Sequence, residues 1–175
     1  MERNKRAYQH RLRIFTMGKY TALRRGEIWS LRLKDIDFRK KEIWICDKPE
    51  IGWEIKGGHE EKIPAADQLL EFIRKDIENR NPKEIWYLDN GFGQLAYSTE
   101  HEMSRSMKRA WDSIGVKGID PIHGIRRSVI TLITAKYGLE VGKVFALHRD
   151  IRTTMNHYVH GESLPLREAA NALPF

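Results

Sequence analysis

Residues 21–38, TALRRGEIWSLRLKDIDF, contain the change of periodicity from which the fold is predicted. Leu23 and Ile28 belong to a series of apolar residues at helical spacing, whereas Ile36 and Phe38 alternate with polar residues as they would in a β-strand. Helix is therefore expected to give way to strand within this stretch, and the protein should contain both kinds of element.

The segments on both sides of this stretch predict a mainly helical protein with one small sheet. Residues 2–20 are rich in helix formers and can bury one apolar face. Residues 41–64 contain short apolar runs separated by turns, one of them at Gly57-Gly58, which predicts a small antiparallel sheet. Further helices are predicted at 65–80, 98–114, 122–137, 139–147 and 151–158. The predicted fold class is mixed α+β, mainly helical with a three-stranded antiparallel sheet.

The composition favours a basic globular protein. A chain of 175 residues with 41% hydrophobic content is long enough for one domain with a sizeable core. The 31 Lys and Arg against 24 Asp and Glu give a net charge of +7, which favours an anionic partner such as nucleic acid. The single cysteine, Cys46, cannot form an internal disulfide, and no signal peptide or long apolar run is evident. We therefore expect a soluble, cytoplasmic protein without membrane association.

Five side chains of complementary chemistry suggest a reaction at a phosphate. His123 and Arg126 lie three positions apart and so share one face of a predicted helix. Arg24 and Lys56 supply two further cations, and Tyr158 supplies a phenol. Attack of a phenol on a phosphodiester needs cations for the extra negative charge of the transition state and a proton donor for the leaving alkoxide. It requires no set of metal ligands.

Four motifs, in the same order as in a known family, strengthen this interpretation. The stretch at 21–38 resembles the first arginine box of the tyrosine recombinases, the phage integrase family. KGGHEEKIPA at 56–65 resembles their lysine hairpin, and HGIRRS at 123–128 resembles their His-x-x-Arg box. LHRDIRTTMNHYVH at 147–160 is similar to their closing segment with histidine, threonine and tyrosine. The resemblance implies the catalytic-domain fold of that family.

The resemblance also implies a set of catalytic residues, namely Arg24, Lys56, His123, Arg126, His148 and Tyr158. Arg24 and Arg126 would bind the non-bridging oxygens of the scissile phosphate, and Tyr158 would form a 3′-phosphotyrosyl bond. Glu27, which follows Arg24 by three positions, would orient an arginine. Tyr158 follows His148 with one position more than is common in the family, a spacing that resembles an integrase subgroup of conjugative transposons.

The remaining roles concern proton transfer and DNA contact. By the same resemblance, Lys56 would protonate the 5′ oxygen, His123 would assist proton transfer at the tyrosine, and His148 would donate a hydrogen bond to a phosphate oxygen. Because the energy of the broken ester is kept in the covalent bond, no cofactor is implied, neither ATP nor a metal ion. Three arginines near these residues are expected to contact the DNA backbone, namely Arg25, Arg127 and Arg152.

The resemblance further implies the substrate and the assembly. Double-stranded DNA would be the partner, with a homotetramer on DNA and a monomer without it, in a prokaryotic cell or in the cytoplasm of a viral host. We expect residues 1–175 to form a single catalytic domain, with the helical DNA-clamping domain that precedes it in the family absent.

Two alternative functions remain open at this point. A type IB topoisomerase shares the chemistry but relaxes supercoils without strand exchange. A regulator or accessory factor could keep the fold and bind DNA without turnover. Cleavage of DNA that depends on Tyr158 would separate a catalyst from a binding protein.

Overall fold

The computed structural model describes residues 2–147, with side chains from residue 5 onward. Its described helices are α1 (Glu2–Thr21), α2 (Arg25–Trp29), α3 (Asp67–Ile77), α4 (Glu100–Ser113), α5 (Pro121–Tyr137) and α6 (Leu139–Phe145). Its described strands are β1 (Ile36–Asp37), β2 (Glu42–Ile45) and β3 (Glu61–Pro64). The helix expected at 151–158 lies outside the described residues. The chain divides into two compact units, residues 1–126 and 127–175.

The helix predicted within residues 21–38 is much shorter in the structure than its periodicity suggested. Only Arg25–Trp29 forms a helix, α2, and a single 3-10 turn follows at Leu33–Asp35 before β1. The intervening backbone bonds elsewhere, since Tyr87 N–H donates to the Leu31 carbonyl at 2.8 Å and Leu33 N–H donates to the Ile85 carbonyl at 2.9 Å. These long-range bonds use backbone groups that a continuing helix would need for itself.

The predicted three-stranded antiparallel sheet is confirmed, but its strands differ from those expected. β1, at 36–37, pairs with β2, and β2 pairs with β3 in the order β1-β2-β3. Residues 53–60, expected within the sheet, instead form the connection between β2 and β3. Ile43 lies opposite Ile63 and both are buried, whereas the neighbouring Trp44 is 40% exposed. The sheet therefore buries one face and leaves the other open to solvent.

The core of the first unit is built from α1, α3 and the segment 86–88. Met17 of α1 and Ile73 of α3 are fully buried, as are Tyr87 and Leu88. The hydroxyl of Tyr87 donates to the carbonyl of Arg13 at 3.1 Å, which satisfies a polar group in this apolar surrounding. Trp29 of α2 donates from Nε1 to the carbonyl of Tyr97 at 2.9 Å. α2 is thereby attached to the segment that leads into α4.

In the second unit, the structure describes residues 127–147. Gly138, with φ of 91°, joins α5 to α6 and ends α5 at the predicted position. Gly142 packs directly against Thr134, where a Cβ atom would collide with the threonine side chain. Among the helices that the structure describes, none has both the length and the apolar character needed to span a membrane.

Candidate active site

The candidate site begins where α1 ends. Ala22 follows α1 in the left-handed conformation, with φ of 50°, while its N–H still bonds the carbonyl of Gly18 at 2.9 Å. Residues other than glycine adopt this conformation rarely, at a cost of about 1 kcal/mol. The Ala22 carbonyl accepts a hydrogen bond from Nη1 of Arg126. The turn after α1 therefore supplies a main-chain acceptor for an arginine that lies far away in sequence.

Arg24 caps the start of α2 and is oriented by Glu27. Glu27 accepts from the backbone N–H of Arg24 at 2.6 Å through Oε2 and from Arg24 Nη1 at 2.8 Å through Oε1. The Glu27 residue is only 3% exposed, whereas 29% of the Arg24 side chain is exposed. A buried carboxylate at a helix N-terminus is favoured by the helix dipole. It fixes both the backbone and the guanidinium of Arg24, while part of that guanidinium still faces solvent.

Arg126 of α5 is buried beside Arg24. Burial is the main cause that lowers the pKa of Arg126 to about 10; the positive charge of Arg24 acts in the same direction and Glu27 opposes the shift. The guanidinium remains protonated at neutral pH, so two positive charges and one carboxylate share this region. Such an arrangement favours a bound anion, because an anion relieves the repulsion between the two cations. The structure therefore brings together Arg24, Glu27 and Arg126.

His123 occupies the first turn of α5, three residues before Arg126. Its backbone N–H donates to Oδ1 of Asp120 at 3.0 Å, and its side chain is exposed. Because residues three apart in a helix are neighbours, the imidazole is placed on the exposed side of the buried Arg126. His123 is thus accessible to a substrate that binds at the arginine pair.

Lys56 lies on an exposed turn of the connection between β2 and β3. Gly58 N–H donates to the carbonyl of Ile55 at 3.0 Å, and Gly57 and Gly58 both have positive φ, 108° and 69°. Glycine suits these positions because a side chain would be strained there. The hydrogen bonds described above join Arg24 to Glu27 and Arg126 to the Ala22 carbonyl, whereas Lys56 lies on a different segment, the connection between β2 and β3.

Two other lysines flank Lys56 in sequence, and the structure distinguishes them. Lys48 is 1% exposed, its Nζ donates to the carbonyl of Cys46 at 2.7 Å, and it forms an ion pair with Asp35 at 3.2 Å. Lys62 is exposed on β3. Lys48 is therefore engaged in the interior, and Lys56 and Lys62 are the accessible lysines of this region.

The arginines expected to contact DNA have different surroundings. Arg25 Nε donates to Oε1 of Glu100 at 3.0 Å, so its charge is already paired within the protein. Arg127 is exposed on α5. Three expected site residues lie outside the described residues, namely His148, Arg152 and Tyr158.

Glu100 and Asp120 were missed by sequence analysis. Asp120 precedes Pro121, and an Asp-Pro pair before a periodic segment is a recognisable start of a helix. That signal could have identified Asp120 as a cap. Glu100 carries no comparable signal, because its contact with Arg25 joins residues 75 positions apart. Within the part of the chain that the structure describes, no group of three or more His, Cys, Asp or Glu residues is arranged to hold a metal ion.

The chain matches a protein-family model over most of its length. Residues 2–163 match the model of the phage integrase family. The chain is also similar to an integrase of Staphylococcus phage L54a, with 26% identity over 176 residues. That alignment covers 87% of this chain and 49% of the phage protein, so the chain spans about half the length of this relative.

Solved structures with the same fold include three recombinases. The Tn1549 transposon integrase in complex with a circular intermediate DNA has a TM-score of 0.66 at 18% identity, covering 95% of this chain and 59% of that one. XerA recombinase has a TM-score of 0.66 at 16% identity, and the match covers 96% of this chain and 63% of XerA. XerH recombinase bound to a palindromic difH substrate has a TM-score of 0.67 at 20% identity, and the match covers 93% of this chain and 45% of XerH. These likenesses confirm the predicted fold class.

Proposed function

Because the chain belongs to the phage integrase family, we propose that it catalyses site-specific recombination of double-stranded DNA through a covalent tyrosyl intermediate. The observation that carries the proposal is the pairing of Arg24 and Arg126, which lie far apart in sequence and share one site with Glu27. Two guanidinium groups around one carboxylate suit a scissile phosphate. A phosphate can accept from both arginines at once, through its two non-bridging oxygens.

Cleavage would proceed by exchange of one phosphodiester for another. The phenolic oxygen of Tyr158 attacks the phosphorus, the bond from phosphorus to the 5′ oxygen breaks, and the 3′ phosphate remains attached to the tyrosine. Arg24 and Arg126 stabilise the additional negative charge of the pentacoordinate transition state. Attack by a 5′ hydroxyl of a second strand reverses the sequence and joins new partners. The ester energy is conserved throughout, so the reaction consumes no nucleotide.

Proton transfers would be divided among the remaining residues. The phenol of Tyr158 loses its proton as it attacks, with His123 assisting, and the 5′ oxygen gains one from Lys56 as it leaves. The exposed turn that carries Lys56 would allow its ammonium to reach the leaving oxygen. His148 would donate a hydrogen bond to a phosphate oxygen. The positive charges of Arg24, Arg126 and Lys56 would then lie next to the oxygens on which negative charge develops in the transition state.

The substrate and assembly follow from the same family. Solved complexes of the Tn1549 integrase and of XerH contain DNA, which supports duplex DNA as the substrate class here. Residues 1–175 would act as the catalytic domain, assembling as a tetramer on DNA and remaining monomeric without it. With a net charge of +7, affinity should fall as salt rises, because phosphate contacts release counterions.

The test is capture of the covalent intermediate. The protein is incubated with nicked duplexes whose central segment is randomised, so that a cleaved strand loses a short fragment and cannot be rejoined. Adducts that survive denaturant are isolated and their DNA is sequenced. We expect adducts enriched in one sequence with the wild-type protein and none with Tyr158→Phe.

The alternatives make different predictions in the same assay. An accessory factor would bind selected duplexes with the same affinity in wild type and Tyr158→Phe, and neither form would yield an adduct. A topoisomerase would form adducts and would also relax a supercoiled plasmid lacking the selected sequence. Absence of wild-type adducts on every duplex in the pool would overturn the proposed catalysis.

A further inference from the structure

Arg25 is placed between two acidic residues that belong to different parts of the fold. Its Nε donates to Oε1 of Glu100 at 3.0 Å, in the first turn of α4, and its Nη1 lies 3.9 Å from Oδ2 of Asp120. Its side chain is 37% exposed, against 28% for Glu100 and 42% for Asp120. One guanidinium thus links α2, α4 and the residue that precedes α5.

Asp120 determines where α5 begins. Its Oδ1 accepts from the backbone N–H of His123 at 3.0 Å, and its carbonyl accepts from Gly124 N–H at 2.8 Å. This is the geometry of an N-cap, with Pro121 in the first helical position. Oδ2 also accepts from the hydroxyl of Ser104 on α4 at 3.2 Å. The start of the helix that carries His123 is therefore fixed by the residue that faces Arg25.

Glu100 approaches the first turn of α2 closely at Gly26. A Cβ atom on Gly26 would collide with Oε2 of Glu100 and would lie 2.9 Å from Nε1 of Trp53. Trp53 belongs to the connection between β2 and β3, three residues before Lys56. Gly26 lies two residues after Arg24, so Glu100 and Trp53 both pack against the first turn of the helix that Arg24 begins.

We propose that Arg25, Glu100 and Asp120 form a positioning bridge that holds Arg24 in register with His123 and Arg126 for reaction at a phosphate. The inference rests on the proposed recombinase function and assigns Arg25 a role other than contact with the DNA backbone. The bridge connects the start of α2, which presents Arg24, to the start of α5, which presents the other two residues. Its ion pairs are partly exposed, so they contribute little to folding.

The effect of the bridge should appear in the rate of reaction and hardly in affinity. Displacing reacting groups by about 1 Å can cost about a hundredfold in rate. We expect Arg25→Gln and Glu100→Gln to slow adduct formation at saturating DNA by about tenfold, with Kd changed less than about twofold. The measurement is single-turnover adduct formation over a range of DNA concentrations, together with thermal unfolding.

Charge reversal supplies the decisive comparison. Arg25→Glu and Glu100→Arg should each slow adduct formation by about a hundredfold, and the two changes combined should recover a rate within about tenfold of wild type. Recovery requires that the two side chains act on each other. If Arg25 binds DNA instead, Arg25→Gln raises Kd, Glu100→Gln does not slow the reaction, and the double reversal is no faster than Arg25→Glu alone. Any of these results would overturn the proposal.

Two matched controls separate positioning from general damage. Asp120→Asn keeps a side chain that can cap α5 but removes its charge, whereas Asp120→Ala removes both, so the alanine variant should be the slower. Asp112→Asn breaks an exposed ion pair with Lys108 on the same helix as Glu100 and should leave the rate unchanged.

A second readout distinguishes failure of the bridge from failure of the proposed function. Backbone amide NMR signals of His123 and Gly124 in the DNA-free protein should shift in Arg25→Gln and return in the double reversal. If wild type forms no adduct but these signals respond, the recombinase function fails and the bridge stands. If wild type forms adducts and neither rate nor signals respond to Arg25→Gln, the bridge is wrong and the function stands.

Discussion

One polar cluster forms at the start of α2 and another forms around Arg32, which follows α2 in the sequence, and the two differ in how their charges are paired. In the interior cluster, Arg32 and Lys48 are paired with Asp35 and with the more exposed Glu50. In the site cluster, Arg24 is paired with Glu27, and Arg126 lies close enough for both to affect its pKa.

The difference shows what each cluster is built to do. The interior cluster is neutral by formal charge and gains hydrogen bonds within itself, including one from Arg32 Nη2 to the sulfur of Cys46 at 3.2 Å. The site cluster places two arginines beside Glu27 and leaves part of the Arg24 side chain exposed. Two neighbouring arginines, one of them partly exposed, are suited to an anion that arrives from outside, whereas the charges of the interior cluster are satisfied by one another.

The largest expected effect comes from breaking the interior cluster. Lys48→Ala leaves Asp35, whose side chain is 1% exposed, without its ammonium partner. Loss of one partner of a buried ion pair can lower the free energy of unfolding by about 3 to 5 kcal/mol, and the lower end of this range is expected here because Asp35 keeps its pair with Arg32. Urea denaturation measures this, with the exposed Lys62→Ala as control. Equal stability of the two variants would show that Lys48 is not a buried structural cation.

A substitution in the site cluster should reduce the rate of reaction and change stability little. Arg126→Ala is expected to slow adduct formation by about 10² to 10³, because it removes a donor to the transition-state phosphate. Stability should change little, since the substitution also removes a buried charge beside Arg24. Single-turnover adduct formation and thermal unfolding are measured together, with Lys75→Ala on α3 as the control. A large loss of stability without loss of rate would show that Arg126 maintains the fold and does not act in the reaction.

Substitution of the exposed Lys56 tests whether this lysine takes part in the reaction, in contrast to the buried Lys48. Lys56→Ala should leave stability unchanged and slow adduct formation by about a hundredfold, the usual size of a general-acid contribution. A substrate with sulfur in place of the bridging 5′ oxygen should restore the rate, because a thiolate leaves without a proton. If the sulfur substrate does not rescue Lys56→Ala, but rescues Lys62→Ala, the assignment of the two lysines must be exchanged.

The smallest expected effect is a change in pH dependence at the site cluster. Burial, together with the positive charge of Arg24, lowers the pKa of Arg126 from its usual value to about 10. A similar shift would lower a lysine from its usual value to about 8. The rate for Arg126→Lys should therefore fall, relative to wild type, by about tenfold for each pH unit above 8 as its ammonium deprotonates. A constant ratio of the two rates between pH 7 and 9 would show that position 126 is less buried than the structure indicates.

The sequence predicted some elements well and others poorly. Ordered motifs selected Arg24, Lys56, His123 and Arg126 as candidate site residues, whose roles stay predictions, and the helix containing the last two was predicted nearly to both of its ends. The three-stranded sheet was also predicted, although its first strand proved to be β1. Local patterns carry these signals, because helical periodicity and glycine turns depend on neighbouring residues.

The missed features depend on contacts between distant segments. The length of α2 is limited by hydrogen bonds from 31–33 to 85–87, which no local pattern contains. Likewise, Lys48 resembled Lys56 in sequence, and only burial beside Asp35 separates them. Arg25 was expected at the DNA because it adjoins Arg24, and its pairing with Glu100, 75 positions away, has no local signal in the sequence. Ion pairs over such distances become visible only when the chain is folded.

The acceptor that holds Arg126 is a main-chain carbonyl, and this affects how the site tolerates mutation. A substitution at position 22 changes the side chain but keeps the oxygen, so the contact with Arg126 cannot be lost by a codon change that leaves the backbone turn intact. Glu27, in contrast, can be replaced in one mutational step. Over many generations, substitution of the partner residue should therefore change the position of Arg126 less often than that of Arg24.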